Sequence, residues 1–263
     1  MTCGDDGAIS KWRKQKVDWK VSSESKPFSA DFHPNGIVVV VGTADGHVLV
    51  LNSETGSNVK TIFVGKFRIA KLAFDPIGDS LAIVAETGIL FVYSATNGGK
   101  NYRKSGRVNC RSKNMLTHVD WSLDSQFIQV CSSSSDFAFV DVQRRKTIDE
   151  RLVNKVVWNK QTCPIGDSVF GTLRNIHFTK NSDFVTSLNV SKNMNMLVTG
   201  NGRGSLKVFE FPTSSIDSPF FETRVVRAAI SEVKIYFEDS YVLLVGEENE
   251  AVFRFKICIE PTI

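Results

Sequence analysis

The chain has 263 residues, 32 basic against 28 acidic side chains for a net charge of +4, and 42% apolar residues. This is the composition of an ordinary globular protein, without the marked basic excess of a dedicated nucleic-acid binder. It contains no run of 18 consecutive apolar residues that would span a membrane, and Met1–Gly7 carries two acids and no apolar core, so it does not read as a secretory signal.

From the N-terminus, Thr2 to Trp12 reads as two short strands around the turn Asp5-Asp6-Gly7. A longer pattern then begins to repeat. Phe32-His33-Pro34-Asn35-Gly36 leads into the apolar run Ile37 to Val41, the small residue Gly42, the turn Ala44-Asp45-Gly46 and a second run, Val48 to Leu51. Phe74-Asp75-Pro76-Ile77-Gly78 is followed in the same way by Leu81 to Val84, Ala85, Glu86-Thr87-Gly88 and Leu90 to Tyr93. Trp121 to Ser125 precedes Phe127 to Cys131, Ser132 and Phe137 to Val142. Val190 to Met194 precedes Met196 to Thr199, Gly200, Asn201-Gly202-Arg203-Gly204 and Leu206 to Phe209. Phe237 to Ser240 precedes Tyr241 to Val245, Gly246 and Ala251 to Phe255.

The small residues act as a ruler, with intervals of 43, 47, 68 and 46 positions between 42, 85, 132, 200 and 246. The long interval is one repeat plus an insertion of about 24 residues if a repeat is about 44. β-Branched residues such as Val38, Val40, Ile128 and Val130 supply strand propensity, and glycine in the second turn supplies the positive φ of a tight hairpin. No segment shows a long helical period. Four short strands every 40–45 residues or so define a blade of a WD40-like β-propeller, in which each sheet buries its faces against its neighbours.

The expected fold is therefore all-β: five blades at about 14–56, 57–99, 100–144, 145–212 and 213–257, the fourth irregular, after a half-blade ending at residue 13 and before a tail at 258–263. A half-blade at the start predicts a fragment of a longer protein, with a further propeller upstream, or a truncated gene model. The Trp-Asp dipeptide of ordinary repeats is degenerate. Its places hold Trp12-Arg13, Leu51-Asn52, Tyr93-Ser94, Val140-Asp141, Phe209-Glu210 and Phe255-Lys256.

The five cysteines, Cys3, Cys110, Cys131, Cys163 and Cys258, are widely spaced with no Cys-x-x-Cys, which favours reduced thiols in a cytoplasmic protein over a disulfide framework or zinc site. His33, His47, His118 and His177 show no metal-ligand spacing. His118 and Asp120 alternate on one strand, where a structural hydrogen-bond pair is the expectation over acid–base chemistry. Gly200 to Gly204 lacks the ending of a phosphate-binding loop and reads as a hairpin turn, and Asn189-Val190-Ser191 reads as a chance sequon. No catalytic residue, cofactor site or metal site is predicted. The most suggestive feature is basic. Arg103, Lys104, Arg107, Arg111 and Lys113 fall in eleven residues without an acid, and Arg144, Arg145 and Lys146 follow. Such a cluster suits an acidic partner, or it is a solvated inter-blade loop.

Two segments are more specific. Asn97-Gly98-Gly99-Lys100-Asn101-Tyr102-Arg103-Lys104-Ser105-Gly106-Arg107 precedes Leu116-Thr117-His118-Val119-Asp120-Trp121-Ser122, and Val156-Val157-Trp158-Asn159 precedes Thr162-Cys163, Gly166 and Val169-Phe170-Gly171. With Phe32 to Gly36 and Val208 to Pro212, they resemble the C-terminal propeller of the echinoderm microtubule-associated protein-like family over nearly the whole chain. The resemblance implies the second of a tandem atypical propeller pair, an irregular blade at the long interval, and a cytoskeletal location. Tubulin or microtubules are the implied partners. The family's hydrophobic signature motif, first propeller and coiled coil are absent from this chain, so the implied microtubule attachment runs through the full-length parent. The expected function is a non-enzymatic interaction module without nucleic-acid or membrane partners. The alternatives are a WD40-type scaffold subunit of another assembly and, less favoured, a propeller enzyme.

Overall fold

A computed structural model of the chain describes residues 1–14, 16–110, 114–132, 136–164, 166–173, 184–236, 238–247 and 251–258. Two compact units are present, Met1–Asn159 and Lys160–Ile263. The described strands form six antiparallel sheets, each a blade in which sequence neighbours pair.

The first unit holds four blades. Blade 1 is β1 (Thr2–Cys3), β2 (Ala8–Arg13) and β3 (Lys16–Ser22). Blade 2 is β4 (Pro27–Phe32), β5 (Val38–Thr43), β6 (His47–Asn52) and β7 (Asn58–Phe63). Blade 3 is β8 (Ile69–Phe74), β9 (Ser80–Ala85), β10 (Ile89–Thr96) and β11 (Asn101–Asn109). Blade 4 is β12 (Leu116–Trp121), β13 (Phe127–Ser132), β14 (Phe137–Asp141) and β15 (Lys146–Ile148).

The second unit holds blade 5, made of β16 (Val185–Val190), β17 (Met196–Asn201), β18 (Ser205–Glu210) and β19 (Phe220–Arg224). Blade 6 is β20 (Ile230–Tyr236), β21 (Tyr241–Gly246) and β22 (Val252–Lys256).

The blade count thus corrects the expected five and a half to six. Lys16–Ser22 pairs with β2 rather than opening the next blade, so the N-terminal strands make a three-stranded blade of their own. The same shift recurs down the chain, because each polar fourth strand closes the blade before it. The degenerate Trp-Asp positions at 12–13, 51–52, 140–141, 209–210 and 255–256 close the third strand of a four-stranded blade or its counterpart in blades 1 and 6, and Tyr93-Ser94 lies near the end of β10.

The physics of the second strand is plainest in β5. Val38, Val39, Val40 and Val41 are all fully buried. Alternate side chains point to opposite faces. Val38 and Val40 join a core with Ile69, Leu72, Leu81 and Ile83 of blade 3, whereas Val39 and Val41 pack with Ile9 and Trp19 of blade 1. A strand buried on both faces reads as a continuous apolar run. Burying each valine contributes about 1.5–3 kcal/mol relative to exposure. Blade 3 is sandwiched likewise, with Ala82, Val84, Leu90 and Val92 packed on Leu116, Trp121 and Ile128 of blade 4.

In the second unit, Val198 and Leu206 pack on Ile230, Val233 and Leu244, and the other face of blade 5 is covered by Val169 from a 3-10 turn at Asp167–Leu173. Part of the insertion at the long interval is therefore a lid on a blade face. Another part docks on blade 4: Leu123 N–H donates to Val157 O at 2.8 Å, Asn159 N–H donates to Trp121 O at 2.9 Å, and Trp158 stacks on Phe139 at 5.9 Å.

Each first strand from β4 to β20, taken one per blade, carries a register shift after its first residue. The residues opposite that first residue are Thr43, Ala85, Ser132, Asn201 and Gly246. The sequence ruler is therefore one position early at Gly42 and Gly200, and in a strand one position exchanges the two faces. The crowding argument still holds at those two. An ideal Cβ on Gly42 would lie 2.8 Å from Ile69 Cβ and 3.3 Å from Leu72 Cδ1, and one on Gly200 would lie 2.8 Å from Ile230 Cβ and 3.2 Å from Val233 Cγ1.

Candidate protein-interaction surface

The basic run at 103–107 is not an inter-blade loop. It lies in β11, the outermost strand of blade 3. Arg111 and Lys113 lie outside the described residues, as does His177. β11 pairs with β10 throughout, with Arg107 opposite Phe91, Gly106 opposite Val92, Lys104 opposite Tyr93 and Arg103 opposite Ser94. The register slips between Val92 and Tyr93, so Ser105 is the extra residue of a bulge, and its hydroxyl donates to Val92 O at 2.9 Å.

That bulge decides the charge distribution. In a regular strand, residues three apart face opposite ways. Here Lys104 and Arg107 share the face of Phe91. Lys104 Nζ sits 4.5 Å from the Phe91 ring centroid and Arg107 Cζ 6.0 Å from it. The ring itself is stacked on Phe67 at 5.6 Å, which holds this cation seat rigid. Arg103 and Gly106 share the opposite face.

The second basic run forms the β14–β15 hairpin of blade 4. Asp141, at the end of β14, accepts from Arg144 N–H at 2.8 Å and from the Arg144 guanidinium at 2.7 Å. The Arg144 N–H and guanidinium together hold the Asp141 carboxyl below the usual carboxylate range. Arg145 adopts a left-handed φ of 54° at the tip of the turn, and its stem runs past β11. Arg145 Cγ and Cδ lie 3.6 Å from where a Cβ of Gly106 would stand, so the absence of a side chain at 106 makes room for it. Two basic runs about 40 residues apart in sequence meet there.

Arg144 is matched by Asp141, but among the described residues Arg103, Lys104, Arg107, Arg145 and Lys146 form no ion pair with a carboxylate. All five are exposed. Blades 3 and 4 therefore present a set of solvent-facing cations, two seated on an aromatic ring and two flanking a glycine. Sequence reading found the cations but missed Phe91 and Gly106, whose roles depend on pairing register.

The three described histidines make scaffold contacts. His33 Nδ1 accepts from Asn35 N–H at 3.2 Å, its Nε2 donates to Gly78 O at 2.9 Å, and its ring meets Phe74 edge-on at 4.9 Å. His47 Nδ1 is 3.0 Å from Asp45 Oδ2. His118 Nδ1 is 2.9 Å from Thr117 Oγ1, and Asp120 accepts from Gln129 Nε2 at 3.0 Å. Asn189 of the sequon accepts from Ile235 N–H at 2.8 Å. Among the described residues no disulfide joins any of the five cysteines, and no three His, Cys, Asp or Glu side chains are grouped to hold a metal. No helix among the described residues is long and apolar enough to cross a membrane. A groove of about 950 Å³ in the second unit is lined by Phe209, Phe220, Phe221 and Ile257 together with Glu210 and Asp239.

The six antiparallel blades among the described residues define a β-propeller of the WD40-like class. The profile described as the echinoderm microtubule-associated protein second beta-propeller matches residues 1–257, and the chain belongs to that family. It is 26% identical over 265 residues to echinoderm microtubule-associated protein-like 1 of Mus musculus, covering 98% of this chain and 31% of that protein. It is 27% identical over 263 residues to echinoderm microtubule-associated protein-like 2 of Rattus norvegicus, and 25% identical over 263 residues to echinoderm microtubule-associated protein-like 4 of Homo sapiens. Both alignments cover 98% of this chain but only 39% and 26% of those relatives, so the chain spans well under half the length of the curated relatives it matches.

Proposed function

We propose that this chain is a non-enzymatic protein-interaction module of a microtubule-associated, tubulin-binding cytoskeletal protein of the cytoplasm. The family match over residues 1–257 carries this reading. The relatives bear microtubule association in their names. The local chemistry supports it too: five exposed cations that pair with no carboxylate among the described residues suit a protein with acidic surface segments, and rigid blades suit recognition by surface loops and edges. Arg103, Lys104, Arg107, Arg145 and Lys146 form the binding surface, with Arg144 holding the hairpin and Arg111 and Lys113 continuing the run in sequence.

The test is co-sedimentation with microtubules and size-exclusion binding to soluble tubulin, on this chain beside the full-length parent. Binding by both, or by the parent alone with loss on deletion of residues 1–257, supports the reading. Failure of the parent to bind either form of tubulin rejects it in favour of a scaffold subunit of another assembly.

A further inference from the structure

β11 has nine residues and is the last strand of its sheet. β10 pairs with it from Asn101 to Asn109, and among the described residues no strand pairs with its other side. An edge strand offers a row of backbone N–H and C=O groups that can template a further strand. Which strand it accepts depends on its side chains. A second copy of β11 laid against this edge would set Arg103, Lys104 and Arg107 against the same cations, and like charges across a strand pair repel. An acidic strand meets the opposite condition on both of its faces. The bulge at Ser105 places Lys104 and Arg107 toward one face, while Arg103 and the Arg145 stem beside Gly106 lie toward the other.

We propose that the free edge of β11 docks an extended acidic segment of a partner protein, which adds to blade 3 as a fifth strand. Its alternate carboxylates pair with Lys104 and Arg107 on one face and with Arg103 and Arg145 on the other. This rests on the interaction-module reading and names the partner's chemistry and its mode of attachment. A nucleic acid would answer the charge but has no peptide groups to complete a β-ladder, so the geometry selects a polypeptide.

The probe is a fluorescent oligoglutamate peptide, titrated into the full chain and followed by anisotropy. Four results are expected. Affinity falls as salt rises. The double variant Arg103→Glu/Arg107→Glu weakens binding about tenfold or more, with an unchanged circular-dichroism spectrum, because both side chains are exposed. A peptide N-methylated at every second residue, with the same charge but half its amide donors removed, also binds about tenfold more weakly. Hydrogen exchange of the β11 amides slows on peptide binding. Equal binding of the N-methylated peptide overturns strand addition while leaving a charged surface. Tighter binding of an RNA oligonucleotide, or of anionic vesicles, overturns the choice of partner. Tubulin binding that is indifferent to the double variant overturns this edge as the site but leaves the interaction-module reading standing.

Discussion

The hydroxyl of Ser29 accepts a hydrogen bond from the backbone N–H of Leu72 at 3.0 Å, joining the first strand of blade 2 to the first strand of blade 3. Ser187 accepts from Val233 N–H at the same distance in the second unit. Each serine pairs across its sheet with a glycine, Gly42 or Gly200, over which the next blade's Ile69 or Ile230 sits. Two residues further on, Asp31 accepts from Phe74 N–H at 2.9 Å and Asn189 from Ile235 N–H at 2.8 Å. The same joint is built twice. Replacing Ser29 or Ser187 by alanine leaves a buried N–H without its acceptor, at a cost of about 1–3 kcal/mol. A fall in urea midpoint with unchanged slope is the expected reading. No change at either position would mean that the hydroxyls are dispensable to the joint.

The glycine half of the joint makes a separate prediction. Gly42→Ala puts a methyl against Ile69 and Leu72 and destabilises by about 1–3 kcal/mol through overpacking. Ile69→Ala is destabilising alone but less so in the Gly42→Ala background, because the added methyl fills part of the space left. A double-mutant cycle reads the coupling directly.

Between blades 3 and 4 the joint is made differently. The first strand of blade 3 holds Lys71 and Ala73 where blade 2 has Ser29 and Asp31. There Trp121, almost fully buried, donates from Nε1 to Ala73 O at 3.0 Å. Trp121→Phe keeps most of the bulk and loses that bond, for about 0.5–1.5 kcal/mol. Trp121→Ala also opens a cavity and costs about 3–5 kcal/mol. Chemical denaturation of the two variants separates the bond from the packing.

Asp141 gives the chain a pH-dependent element. Its folded carboxyl is held below its ordinary value, first by the Arg144 backbone N–H and also by the Arg144 guanidinium. A lowered folded pKa adds stability above the unfolded carboxylate value of about 3.9, and that stability is lost as pH falls through the folded value. Asp141→Asn is therefore less stable than the parent at pH 7, and the gap narrows below about pH 4. A constant gap across that range would show that the charge on Asp141 is not what holds the hairpin.

Much of the blade is legible in sequence because burial acts on it locally. The run Val38 to Val41 is continuous because two neighbours cover it, and Gly46 ends the turn because its φ of 87° and the nearby Phe67 and Gly65 carbonyls leave no place for a side chain. The outer strands were not legible. Five of the six residues of β7 are exposed, so nothing selects alternation there, and a blade read from periodicity ends one strand early. The basic run in β11, mostly exposed, carries no strand signal for the same reason. The bulges are not legible in sequence because one inserted residue breaks the period that reveals a strand.

From residue order alone came the all-β class, the repeated second and third strands with their hairpins, the family resemblance, and the two basic runs. These depend on contacts within a few residues of one another, or on composition. Only the tertiary structure decided that there are six blades, that Gly42 and Gly200 lie under the next blade's isoleucine, and that Arg145 meets Gly106 beside Arg103. Those facts depend on pairing register and on which blade stands alongside. A shift of one residue turns a side chain from one face of a sheet to the other, and only packing against a neighbour chooses between them.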